Sequence, residues 1–358
     1  MRTVTALASL ILCAAGAISL QASEPEKIPL RVSGLPNPSL TTPSAIAAQR
    51  IVDRFLQLNP DVKLIPAEGL RIETLASEVT TIMMIAGDIA PDVLNMNFRS
   101  LDSFVSQGMV APLDEFVAEA EAAGNDVRAR ILPQVKDVVN RPWPKGEKHL
   151  YGLPDELYVM GLFYNRELFR RAGLPPRAPK DWNELLEFAR KITALGPGIY
   201  GLQLAGGQGA SWNLMNFLWS AGGEAVREVS PNEWRADFNT PAAVAAYEFY
   251  YRLVEVERLA TRMPLTGQVQ NQRETIGMYF GYIGNTANAN TEAFAFGAVP
   301  LGPTGIRGSE INSRVLGIYS QIKDPRVRQA AWRYIEFMTG PEAEQIRIRT
   351  LVELGQAS

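Results

Sequence analysis

Residues 28–65 read IPLRVSGLPNPSLTTPSAIAAQRIVDRFLQLNPDVKLI, and their periodicity decides the fold class. Ile28 to Ser33 alternates weakly between apolar and polar side chains, as a strand does, and Gly34-Leu35-Pro36-Asn37-Pro38 breaks it. From Ser44 to Leu58 the apolar residues Ile46, Ala47, Ile51, Val52, Phe55 and Leu58 recur at helical spacing. Asn59-Pro60 stops that helix, and Val62 to Ile65 is a second short strand. Outward from this unit the spacing predicts a helix over 73–84 ending at Gly87, a buried strand over 92–96, and a helix over 98–107 closed by Gly108. Strand, helix, strand, helix, strand is the grammar of a parallel α/β sheet.

The second half repeats that grammar at longer intervals. Residues 150–164 contain two short β-like runs around Pro154-Asp155-Glu156. A short helix over 165–172 stops at Gly173. Asp181-Trp182-Asn183-Glu184 reads as a capping box opening a helix that runs to Ile192. Further helices are expected over 212–219 and 241–256, with a strand over 276–283. Pro325 to Met338 places Val327, Ala330, Ala331, Tyr334, Ile335 and Met338 on one face.

The chain has 358 residues, enough for two domains. Hydrophobic residues make up 46% and charged residues 20%, which excludes a disordered chain. The net charge of −3 leaves no basic field for nucleic acid. One Cys and one His remove zinc clusters, disulfide frameworks and Cys/His nucleophile pairs. The cysteine lies near the N-terminus, in residues 1–22, which read as a secretory signal. Arg2 is followed by an apolar run from Val4 to Leu20, small residues reach Ala22, and Ser23-Glu24-Pro25-Glu26-Lys27 turns polar. Export to the periplasm or the outer membrane surface follows from that reading; a retained N-terminal anchor is the alternative. No later segment reaches 18 apolar residues.

Four groups of phrases resemble one family. The first is Ala86-Gly87-Asp88-Ile89-Ala90-Pro91-Asp92-Val93 with Gly108-Met109-Val110-Ala111-Pro112-Leu113-Asp114. The second is Tyr151-Gly152-Leu153-Pro154, Phe163-Tyr164-Asn165-Arg166-Glu167-Leu168-Phe169, Ala172-Gly173-Leu174 and Pro179-Lys180-Asp181-Trp182-Asn183-Glu184-Leu185. The third is Phe238-Asn239-Thr240-Pro241. The fourth is Gly317-Ile318-Tyr319 leading to Ala331-Trp332-Arg333-Tyr334-Ile335-Glu336-Phe337-Met338. In this order they resemble the family 1 extracellular solute-binding proteins of ABC importers, the sugar-binding type.

The resemblance implies an α/β fold of two lobes, the type II periplasmic-binding-protein arrangement, with ligand in the cleft between them. Pro/Gly punctuation and the resemblance together put crossings near residues 154–158 and 299–302. They divide the chain into residues 23–154 plus 303–338 for the first lobe and 155–302 plus 339–358 for the second. The implied function is non-enzymatic delivery of a sugar or related polar solute to membrane permease subunits, by a monomer without cofactor, with the lobes closing on the ligand about the crossings. Two departures stand out. Gly284-Asn285 occupies the place where the family usually has an aromatic, and the family usually continues well past the helix that ends near Met338. An exported carbohydrate hydrolase, or a binding lobe fused to membrane machinery, is the alternative.

Sugars are held by aromatic faces against their C–H side and by carboxylates, amides and arginine on their hydroxyls. Candidates for that work lie at predicted strand ends and cleft loops. Asn95, Asn97 and Phe98 end the strand over 92–96. Asp155, Glu156 and Tyr158 sit at the first crossing. As neighbours in an extended segment, the two acids point to opposite faces and do not suit a glycosidase pair. Gly206-Gly207-Gln208-Gly209-Ala210-Ser211 lacks the Gly-Lys-Ser/Thr of a phosphate loop and presents Trp212 and Asn213 instead. Tyr282 and Asn285 lie in a glycine-rich turn, and Arg314 precedes a strand. His149 falls in a charged loop and reads as exposed and inert.

Overall fold

The computed structural model describes residues 26–67, 77–142, 146–206, 209–230, 233–263, 274–282 and 293–355. The expected signal over residues 1–22 and the candidate Asn285 lie outside them.

The first unit forms as its periodicity requires: β1 (Ile28–Val32), α1 (Pro43–Leu58), β2 (Val62–Pro66), α2 (Ser77–Ala86), β3 (Val93–Asn97) and α3 (Leu101–Ser106). Then come β4 (Val110–Ala111), α4 (Asp114–Ala122), α5 (Pro133–Val139) and the hairpin of β5 (Asn140–Pro142) with β6 (Lys148–Leu150). The chain next enters β7 (Leu153–Asn165), a single strand of 13 residues where two short runs were expected. Pro154 does not break it, because Pro154 opposes Val315 near the start of the strand.

Beyond β7 lie α6 (Arg166–Arg171), α7 (Trp182–Thr193), β8 (Tyr200–Ala205) and α8 (Gly209–Ser220). The hairpin β9 (Val226–Ser230) and β10 (Glu233–Ala236) leads to α9 (Pro241–Tyr251), which continues as a π-helical turn over Arg252–Val256. Strands β11 (Ala260–Met263), β12 (Ile276–Tyr282), β13 (Phe294–Gly297) and β14 (Ile311–Tyr319) precede α10 (Pro325–Met338) and α11 (Pro341–Glu353).

Local chemistry sets several helix starts. Thr42, Thr240 and Asp324 each accept a backbone N–H from the first turn of α1, α9 and α10, and proline follows each at the first helical position. At α7, Asp181 accepts from Glu184 N at 2.9 Å, while the Glu184 carboxylate accepts from Lys180 N at 2.5 Å and pairs with Arg177.

Among the described residues ten strands form one sheet, ordered β11-β8-β12-β7-β14-β3-β1-β2, with β13 on β7 and β4 on β14. Strands β1, β2 and β3 run parallel at one end, and β8, β11 and β12 run parallel at the other. The long β7 and β14 join them: β7 pairs antiparallel with β12 and β13 through 160–165 and with β14 through 153–159.

Two separate cores flank this seam. The first gathers Leu30, Phe55, Leu94, Met96, Phe104, Leu153, Val315, Ala331, Tyr334 and Ile335. The second gathers Met160, Leu162, Leu185, Leu202, Phe217, Phe249 and Met278. Helix α10 lies on the first core.

Two assignments differ from the sequence reading. Residues 303–308 stay with the second core. Thr304 Oγ1 donates to Ser220 O at 2.9 Å, Arg307 Nη1 to Val299 O at 2.5 Å, and a Cβ on Gly308 would lie 2.4 Å from Ser220 N. The chain therefore returns to the first core through β14, about ten residues later than the Pro/Gly punctuation suggested. Helix α11 lies against α1 on the first core, tied by Arg50–Glu353 at 2.5 Å and Arg54–Glu342 at 2.7 Å, and not on the second, where residues 339–358 were expected.

Candidate functional site

The carboxyl ends of β1 and β3, the seam of β7 with β14, and the start of α8 converge between the two cores. In an open α/β sheet this is where ligands bind. Asn95 and Asn97 end β3, half-buried, with Asn95 Nδ2 beside the Gly34 turn that follows β1. Helix α3 begins at Leu101 rather than Phe98, because Asn97 folds residues 98–100 into a turn. Its Oδ1 accepts from Arg99 N at 3.1 Å and from Arg99 Nε at 3.3 Å.

The seam brings Asp155, Glu156, Tyr158 and Arg314 together. Arg314 opposes Glu156 and Val315 opposes Pro154, so Asp155 is the extra residue of a β-bulge. The bulge defeats the simple alternation of faces: both acids turn to one guanidinium. Arg314 Nη2 donates to Asp155 Oδ2 at 2.5 Å, its Nε lies 3.0 Å from both Asp155 oxygens, and Nη1 is 3.1 Å from Glu156 Oε2. Tyr158 donates to Glu156 Oε2 at 2.6 Å. Burial pushes the Asp155 carboxyl above its ordinary value, against the pull of Arg314. Burial alone would lower Arg314; the bonds to Asp155 and the charge of Glu156 outweigh it and hold the guanidinium charged.

From the second core, Tyr282 stands edge-on to Tyr158 with ring centroids 5.9 Å apart, and donates to Glu310 Oε2 at 2.6 Å. Glu310 also accepts from Asn312 Nδ2 and is 5% exposed. Burial raises its carboxyl, while the bonds from Tyr282 and Asn312 and the charge of Arg99 pull it down. Trp212, near the start of α8, meets Phe98 at 6.3 Å, and the Arg99 guanidinium lies over its ring 5.6 Å from the centroid.

The structure thus brings most of the predicted set to one place and corrects two of its members, along with the reading of His149 outside it. Asp155, with a side chain 8% exposed, holds Arg314 instead of facing ligand. Asn213 is buried at 2% exposure within α8 rather than presented by the glycine-rich loop. His149 is half-buried against Asp114 and Tyr151 rather than exposed. Sequence reasoning missed Arg99, Glu310 and Asn312. Glu310, Asn312 and Arg314 alternate into and along β14, and that period of two was the signal that could have found Glu310 and Asn312; no such signal marks Arg99. No group of three or more His, Cys, Asp or Glu suited to a metal occurs among the described residues, and no helix there is long and apolar enough to cross a membrane.

Known proteins agree with this architecture. The family model for the bacterial extracellular solute-binding proteins matches residues 38–345. A Brucella abortus (strain 2308) chain, designated a binding protein, is 26% identical over 299 residues, covering 81% of this chain and 67% of that one. The mannitol-binding protein of Pseudomonas aeruginosa is 26% identical over 210 residues, 57% of this chain and 44% of its own length. The GacH receptor of Streptomyces glaucescens, solved unliganded and with acarbose, superposes with a TM-score of 0.70 at 21% identity, over 90% of this chain and 79% of that one. The chain belongs to the bacterial extracellular solute-binding protein family, whose sugar- and polyol-binding members share its two-lobed α/β fold.

Proposed function

We propose that this protein is the exported binding component of an ABC importer. It takes a sugar or polyol between its two lobes and hands it to membrane permease subunits. The observation that carries the reading is the convergence of polar side chains from both cores at the β7–β14 seam. Asn95, Asn97, Phe98, Glu156, Tyr158, Asn312 and Arg314 come from the first core's side, Trp212 and Tyr282 from the second's, and Glu310 joins them just before β14. Carboxylates accept from hydroxyls and guanidinium and amide groups donate to them, so a polyhydroxylated solute can satisfy both sides at once.

Each lobe offers half a site. A ligand gains its second set of hydrogen bonds only where the lobes meet, and so favours the closed arrangement by its differential affinity for it. No chemistry is required. The acids nearest one another, Asp155 and Glu156, are both committed to Arg314 and do not flank a bond as a hydrolytic pair must.

A thermal-shift screen over sugars and alditols tests this reading. A solute at 100 times its dissociation constant should add about 2.7 kcal/mol, and chromatography of the released solute should return it intact. Absence of any stabilising sugar or polyol, or release of a cleaved product, would refute it.

A further inference from the structure

We infer that Glu310 is a hinge strut: its carboxylate bridges the two lobes and favours the arrangement in which they touch across the cleft. This rests on the binding function proposed above and concerns how that same site is regulated.

Pairing and packing locate the hinge to within a few residues. In β7, Leu157 packs on the first core and Met160 belongs to the second. On the returning chain, a Cβ on Gly308 would collide with Ser220 N in α8, whereas Ile311 packs on the first core. Val159 and Ile311 oppose each other between these points. A change in lobe angle must therefore be taken up near residues 157–160 and 308–311.

Glu310 lies inside that span. Its backbone is tied to the second lobe's end of β7: its carbonyl accepts from Met160 N at 2.9 Å, and Ser309 Oγ donates to Met160 O at 2.5 Å. Its carboxylate reaches both ways. Oε2 accepts from Tyr282 on β12 at 2.6 Å, and Oε1 accepts from Nδ2 of Asn312, which opposes Tyr158 on the first core's side. Glu310 and Asn312 are each 5% exposed, so these bonds are internal to the protein. Turning the chain about Ile311 would break one of them and leave a buried carboxylate short of a donor, which is costly. The arrangement so held is one in which the lobes meet. Between ring centroids, Tyr158 stands 5.9 Å from Tyr282 and Phe98 stands 6.3 Å from Trp212.

A strut of this kind acts on affinity without touching solute. Weakening it lowers the fraction of molecules ready to bind, and every solute then loses affinity by the same factor.

Small-angle scattering of the ligand-free full chain, with calorimetric titration of D-mannitol, D-glucitol and maltose, tests this. Glu310→Ala and Asn312→Ala should each give a larger radius of gyration than the parent. They remove opposite ends of one bond, so either suffices should the other not fold. Glu310→Gln, whose amide can bond both partners, should keep the parent's radius. In the alanine variants, each of the three solutes that binds the parent should bind more weakly by one common factor, about threefold to tenfold. A radius unchanged in both alanine variants, or raised as much by glutamine as by alanine, overturns the inference. Losses that differ between solutes by more than about threefold also overturn it, since they would make Glu310 a solute contact. Silence toward all three solutes counts against the binding function, while the scattering still decides the strut.

Discussion

Among the described residues the two lobes meet at the β7–β14 seam and at the cleft mouth, and an arginine stands at each. At the β7–β14 seam Arg314 is gripped by Asp155 and Glu156, and Asp155 is nearly sealed from solvent. At the cleft mouth Arg99 is exposed and rests on the face of Trp212, held by one amide. A charge held by two carboxylates in a low-dielectric pocket is part of the fold, since removing one partner strands the other. A cation on an aromatic face at the surface is a weak and exchangeable contact. The seam is thus suited to hold a geometry, and the mouth to yield to a solute.

Substitutions should separate the two. Asp155→Ala should show the largest effect, a loss of about 2–4 kcal/mol in urea unfolding, because it leaves the half-buried Arg314 with Glu156 alone. A loss no greater than that of an exposed acid would make the bulge an incidental feature. Gly308→Ala comes next. Its new Cβ would stand 2.4 Å from Ser220 N and 2.7 Å from Asn216 O, which are backbone atoms that cannot turn aside. A cost of about 1–3 kcal/mol is expected, together with weaker solute binding as Glu310 shifts away from α8.

Glu310 supplies a pH test of intermediate size. Burial raises its carboxyl above the ordinary 4.5, so the native state takes up a proton more readily than the unfolded chain. Its contribution to stability is then fully present below about pH 4.5 and lost as pH rises through the folded value. Glu310→Gln should therefore lose less stability than the parent between pH 4.5 and neutrality in a series of thermal melts. An identical pH profile would mean that the carboxyl is not perturbed. Arg99→Ala should cost least, about 0.5–1 kcal/mol of stability. A loss as large as that of Asp155→Ala would erase the distinction between seam and mouth.

Much of the first lobe is legible in the sequence because its elements obey one period each. Ala47, Ile51 and Phe55 repeat at helical spacing and lie toward the core in α1, and Pro325–Met338 is helical over the range its apolar face marks out. The seam is less legible because its signals conflict. Pro154 reads as a break, yet it sits where β7 is only starting, and a one-residue bulge at Asp155 changes which faces the following side chains occupy. Punctuation at Val299-Pro300 and Gly302 reads as a crossing, yet glycine at 302 and 308 serves close approach to α8 instead. Helix α11 has little apolar signature: it buries only Ala343 and Thr350 and adds ion pairs to Arg50 and Arg54, which no periodicity records. The candidate site follows the same division. Aromatic and amide residues at strand ends stand out in sequence, whereas Arg99 and Glu310 acquire their roles only when Trp212 and Tyr282, 113 and 28 positions away, are brought against them.

That a single solute bridges both lobes is most directly tested by calorimetric titration of one bound polyol, D-mannitol or D-glucitol, into three proteins: the parent, Asn97→Ala at the edge of the first core, and Tyr282→Phe at the edge of the second. The expected result is a loss of affinity of about tenfold in each variant, with both still folded, since each side loses about one hydrogen bond that matters, worth roughly 1–1.5 kcal/mol. Affinity that falls in one variant and stays at the parent's value in the other would place the solute on one lobe and contradict a shared cleft.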